Sequence, residues 1–176
     1  MKLATTIALI SIFVLGLAAC GTPDAGGGRK VDASGKKEID LNAVPSEVLA
    51  AAMASQPDLV LSEAEYETRD GNEYYDVGGT MPDGSELELD ITKIDGVWTV
   101  VETQRDIEMD STPDAVAKAL ESKVSGWSPD RIIESDQGDG VVIYEFFGKD
   151  DDGEDTKIEV KFEGGQAEVL VDEWLH

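Results

Sequence analysis

The sequence predicts an α+β fold of two tandem repeats, each a helix followed by an antiparallel meander of about four strands, with the helices packed on one face of the sheet. Three observations predict it. Tyr75 and Tyr144, the turn pairs Asp83-Gly84 and Asp152-Gly153, and Gly96 and Gly165 all recur at a spacing of 69 residues, which marks an internal repeat. Each copy opens on a proline, Pro45 or Pro113, where the first turn of a helix tolerates it. The segments that follow alternate apolar and acidic residues, as in Glu86-Leu87-Glu88-Leu89-Asp90-Ile91, the period of a strand that is wet on one face.

The chain begins with Lys2, an apolar run from Leu3 to Ala19, and then Cys20-Gly21-Thr22. A positive start and an apolar stretch short of the roughly 20 residues of a membrane span predict a secretory signal over residues 1–19. Residues 20–37 read as a flexible tether, rich in Gly, Ser and charge and without apolar period. Such a coil reaches about 20–25 Å. Repeat 1 is placed at residues 38–109 and repeat 2 at residues 110–176. In repeat 1, Val48, Leu49, Ala52 and Met53 fall on one helical stripe and Gln56-Pro57 stops it. Strands are expected over 64–69, 73–78, 86–92 and 97–103, joined by Gly-containing turns. In repeat 2, Thr112 and Asp114 offer a cap and a favourable charge, Val116, Ala119 and Leu120 form the stripe, and Ser128-Pro129 ends it. Strands are expected over 130–135, 141–147, 157–162 and 167–174.

Alternation also assigns the faces. Tyr75 and Val77, like Tyr144 and Phe146, point to the core if Asp76 and Glu145 point to water. Tyr74, Ile143 and Phe147 then lie on the wet face. Similar phasing turns Trp98 and Val100 inward and places Val101 and Leu170 outward. Apolar groups among acids on an open sheet predict a binding face made of Tyr74, Val101, Ile143, Phe147 and Leu170. A face covered by the other repeat or by a loop would carry the same pattern.

The charge balance limits what the protein touches. With 38 Asp+Glu against 14 Lys+Arg, the net charge is −24, and the chain lacks the clustered cations that bind duplex nucleic acid. Four of its basic residues, Arg29, Lys30, Lys36 and Lys37, sit in the tether, so the body is more acidic still. A basic protein or peptide is the partner this predicts. One Cys and one His exclude an internal disulfide and argue against a zinc site. His176 ends the chain, and no motif for a catalytic centre, a cofactor or a metal is read; the expectation is a non-enzyme. Acid pairs such as Glu86 and Glu88 read as solvated strand face. Asp150, Asp152, Gly153 and Glu159 meet part of the EF-hand spacing, but Gly148 stands at its first position, so the segment reads as a hairpin tip with weak cation affinity. Trp127, between Ser-Gly and Ser-Pro, is expected to be exposed.

Leu17-Ala18-Ala19-Cys20 resembles the lipobox of bacterial lipoproteins. The resemblance implies removal of the signal before Cys20, lipidation of Cys20, and a membrane-anchored protein on the extracytoplasmic side of the cell envelope, facing the periplasm or on the outer membrane. The helix-opening prolines, Asp70-Gly71-x-x-Tyr74-Tyr75, Gly138-Asp139-Gly140-x-x-x-Tyr144 and the Asp-Gly hairpins resemble the PepSY-like group of secreted bacterial domains. In tandem they are similar to the β-lactamase inhibitor protein fold, in which two units join into one curved sheet. What this implies is a protein-binding module, with inhibition of a peptidase or another envelope enzyme suggested by relatives. The alternative is a structural or weakly Ca2+-binding envelope lipoprotein without a specific protein partner.

Overall fold

A computed structural model describes residues 34–174. The signal over 1–19, the lipidation residue Cys20, most of the tether and His176 lie outside the described residues. Nine strands form one antiparallel sheet in strict chain order: β1 (Lys37–Ile39), β2 (Val60–Arg69), β3 (Asn72–Thr80), β4 (Glu86–Ile94), β5 (Val97–Asp106), β6 (Arg131–Asp136), β7 (Val141–Lys149), β8 (Asp155–Glu163) and β9 (Gln166–Val169). Two α-helices of ten residues each complete it, α1 (Ser46–Ser55) and α2 (Asp114–Lys123). Neither is long and apolar enough to cross a membrane.

The expected fold class is corrected by this architecture. The molecule is dominated by one continuous sheet and is not a pair of helix-plus-meander repeats. A single sheet is what the inhibitor-fold resemblance implies, and β5 pairs directly with β6, from Thr103 opposite Asp136 to Asp106 opposite Ile133. What departs from the expectation is the balance of elements, nine strands against two ten-residue helices among the described residues. The sheet also starts before the first helix, because β1 pairs Lys37, Glu38 and Ile39 with Tyr66, Glu65 and Ala64. The helices add little to the core: α1 buries Val48 and Ala52, and α2 buries Val116 and Leu120. Met53, expected on the buried stripe, is 59% exposed.

Local chemistry explains the meander. Asp70-Gly71 and Asp95-Gly96 each have positive φ at both positions and close two-residue hairpins, the geometry that matches strand twist. Inside, Val77, Leu89 and Ile91 form one cluster with Val48 and Ala52, while Phe146 and Val160 form another with Val116 and Leu120. Thr112 does not cap α2; its buried hydroxyl makes no hydrogen bond. Trp127 is half-buried against the second cluster, where its indole N–H donates to the Lys149 carbonyl at 2.6 Å. A side chain at Gly148 would strike its ring, a Cβ there lying 2.7 Å from Trp127 Cζ2. The last expected strand, 167–174, ends at Val169; the Leu170 N–H still donates to the Glu159 carbonyl, and the chain leaves the sheet edge beyond it.

Candidate cation site on the polar sheet face

The face opposite the apolar clusters carries a ladder of acids. Strand alternation puts every second residue of the meander there, and the register sets Glu65 opposite Asp76, Asp76 opposite Asp90, and Asp90 opposite Glu102, crossing β2 to β5. Glu102 reaches this face through a β-bulge. Asp90 pairs with Glu102 while Ile91 pairs with Val100, which leaves Val101 as the extra residue. Without that bulge, the phase of Trp98 and Val100 would turn Glu102 into the apolar cluster. Glu102 instead accepts hydrogen bonds from Ser135 Oγ and from Gln137 Nε2, which tie the first half of the sheet to the second.

These carboxylates are not solvated. Asp76 is 3% exposed and Asp90 1%. Asp76, Glu88 and Asp90 each offer an oxygen, and the three oxygens lie within 4.8 Å of one another. Asp76 Oδ1 and Asp90 Oδ1 are buried, and no N–H donor satisfies them. The cations around them arrive from outside the pair. Lys36, just before β1, places its Nζ 2.6 Å from Asp76 Oδ2 and 3.6 Å from Glu88 Oε1. Arg69, at the end of β2, donates to Asp90 Oδ2 at 3.1 Å and pairs with Glu67. Its guanidinium also lies 4.1 Å from the centre of the Tyr74 ring, a cation–π contact.

Burial sets the proton affinities. It pushes Asp76 well above the usual carboxylate range, with the adjacent Asp90 adding to the shift and Lys36 opposing it. Asp90 is raised by burial in the same way. Glu88 is pushed up to about 7, chiefly by burial, against the pull of Lys36. For Lys36 burial alone would lower the value, but Asp76 and Glu88 together raise it above that of a free lysine. Two buried carboxylates facing each other need a proton or a cation between them.

The second half repeats the arrangement with one change. Asp76, Glu88 and Asp90 correspond, 69 residues on, to Glu145, Lys157 and Glu159. Glu145 and Glu159 again lie opposite each other on β7 and β8. Here Lys157 rises from the same strand and sits 2.7 Å from Glu159 and 3.5 Å from Glu145. The residues after β9 cover the site. The Trp174 backbone N–H donates to Glu159 Oε2 at 2.7 Å, its indole N–H donates to Gln137 Oε1 at 3.1 Å, and Lys161 Nζ lies 5.6 Å from its ring centre.

The face expected from sequence is therefore divided. Tyr74 is buried beneath Arg69, and Ile143 is 1% exposed. Ile143 lies between Ser135 and Lys161 in the ladder, in the span that Trp174 bridges from Gln137 to Lys161. These two form part of the molecule's interior and present no open surface. Val101, Phe147 and Leu170 are half-buried. The EF-hand-like spacing is not assembled either. Asp150 closes the hairpin turn by accepting from the backbone of Asp152 and Glu154, while Glu159 belongs to the Lys157 cluster. Glu88, read from sequence as solvated, is half-buried, whereas Glu86 is exposed. The signal that marks the site was present in the repeat: acids recur at 76 and 145 and at 90 and 159, while the charge reverses between Glu88 and Lys157.

No protein-family model matches the chain, and no curated protein matches it.

Proposed function

We propose that the protein is a non-catalytic binding module, held by a lipid on Cys20 at the extracytoplasmic side of the cell envelope, that takes up a basic protein segment on the acidic face of its sheet. One observation carries this reading. The ammonium of Lys36, delivered by a segment outside the meander, already sits against Asp76 and Glu88 with 40% of its side chain exposed. The face thus accepts a lysine head group from a peripheral stretch of chain, the chemistry a basic partner would use. The remaining acids of the ladder, with half-buried Val101 and Phe147, supply the surrounding contact surface. Peptidase inhibition is one form such binding would take.

The test is calorimetric titration with a lysine-rich peptide and with a neutral peptide of equal length, at low and high salt. Binding of the basic peptide alone, weakening as salt rises, is the expected result. Equal binding of both peptides, or no binding of the basic one at low salt, overturns the reading.

A further inference from the structure

We propose that Asp76, Glu88 and Asp90 form a site for an oxygen-coordinated divalent cation, with Ca2+ the expected ion, and that Lys36 is a detachable plug which occupies the site when the ion is absent. This goes beyond the uptake of a basic partner and has its own ligand.

Three independent features lead to it. The first is geometric: one oxygen from each carboxylate lies within 4.8 Å of the other two, close enough to share an ion. The second is a deficit. Asp76 and Asp90 lie opposite each other on β3 and β4, and each keeps a buried Oδ1 that no N–H donor satisfies. A hard cation satisfies such oxygens directly, and Ca2+ takes six to eight oxygen ligands in flexible geometry. Glu88, with 28% of its side chain exposed, marks the open side from which water would complete the shell.

The third feature is the internal repeat, which supplies a control within the same molecule. In the second half the corresponding triad is Glu145, Lys157 and Glu159, and a lysine fixed on β8 lies between the two acids while also pairing with exposed Glu173. In the first half the fixed lysine is replaced by Glu88, and the ammonium comes instead from Lys36, which precedes the three-residue strand β1. A built-in cation cannot leave. One carried on a short edge segment leaves at the cost of the β1 pairing, the hydrogen bonds between Ser34 and Thr68, and the packing of Ile39 on the first cluster. Once Lys36 withdraws, three carboxylates converge with Arg69 as the cation left beside them among the described residues, and Arg69 is shared with Glu67. A single ammonium is a poor match for that charge and a divalent ion a better one. Ion binding would therefore release the segment that leads into the tether.

The experiment is a Ca2+ titration of the chelator-treated full chain, followed by calorimetry and by thermal unfolding. One saturable site and a rise in melting temperature are expected. A plug engaged about nine-tenths of the time weakens apparent affinity about tenfold, so Lys36→Gln should tighten binding by about that factor. Glu88→Lys copies the second half into the first; it should fold, melt at or above the wild-type temperature in chelator, and lose its response to Ca2+. Glu88→Gln, which keeps the shape of the side chain, should fold and bind more weakly. Absence of a saturable site in both wild type and Lys36→Gln overturns the proposal. So does wild-type affinity in both Glu88 variants, which would place the ion elsewhere, for example at the turn around Asp150. Failure of the lysine-rich peptide to bind would leave these outcomes unaffected.

Discussion

In the C-terminal half of the sheet, Glu145 and Glu159 are paired with Lys157 from their own ladder and sealed by Trp174. In the N-terminal half, Asp76 and Asp90 occupy the matching positions, but Glu88 stands where the lysine would be and Lys36 approaches from the edge. The register of β3 on β4 and of β7 on β8, with an acid pair across each, is shared; the source of the positive charge is not. The difference teaches that a buried acidic pair can be made permanent or left exchangeable by the position of one lysine. Lys157 rises from the middle of a paired strand, whereas Lys36 precedes a three-residue edge strand, the element whose displacement the proposed exchange requires.

Four measurements break or sharpen this contrast. Lys157→Met should have the largest effect. It leaves buried Glu159 and half-buried Glu145 without their cation, a loss of about 3 kcal/mol, read as a lower midpoint in urea. Trp174→Ala should cost about 2 kcal/mol and speed hydrogen exchange around Gln137 and Lys161, because the indole's bond to Gln137 and its contact with Lys161 are removed. A neutral cost there would mean that the C-terminal segment does not seal the second half.

The third measurement is the pH dependence of stability. Asp76, Glu88 and Asp90 have folded-state proton affinities above their unfolded ones, Glu88 at about 7. Between pH 4 and 7 the folded chain therefore holds more protons than the unfolded chain, and stability falls as pH rises, by about 1–2 kcal/mol. Glu63, Glu65 and Glu145 are raised as well and act in the same sense. The exposed Asp40, Glu47 and Asp83 are lowered, and what they contribute is lost only in stronger acid. Unfolding in urea across this range checks the slope, and Glu88→Lys should flatten it. Lys36→Gln should have the smallest effect, below about 1 kcal/mol, because Asp76 and Asp90 can hold a proton between them. A cost equal to that of Lys157→Met would show that Lys36 is a fixed part of the fold and no plug.

Much of the sheet was legible because its signals are local. Asp70-Gly71 and Asp95-Gly96 encode tight hairpins by themselves, and Leu87, Leu89 and Ile91 announce one buried face through alternation alone. The reading failed where the cause is distant in sequence. β1 is only Lys37, Glu38 and Ile39, inside a stretch that reads as tether, and it exists because β2 offers it an edge. The expected strand is lost beyond Leu170 because Trp174 turns its hydrogen bonds to the side chains of Glu159 and Gln137. Direct pairing of β5 with β6 makes one sheet of the two halves, but the helices beside it are too short to give each half the helix-plus-meander balance expected.

The candidate site shows the same division. The sequence by itself determined that Asp76, Glu88 and Asp90 share the face turned away from the apolar residues, since alternation has a period of two and needs no distant partner. It also held the charge reversal between Glu88 and Lys157. Only the tertiary structure decided that this face is partly buried, that a bulge at Val101 brings Glu102 into the acidic row, and that Lys36 and Arg69 meet carboxylates far along the chain. Proton affinity and ion pairing depend on desolvation and on distances of a few ångströms, and those quantities exist only once the chain has folded.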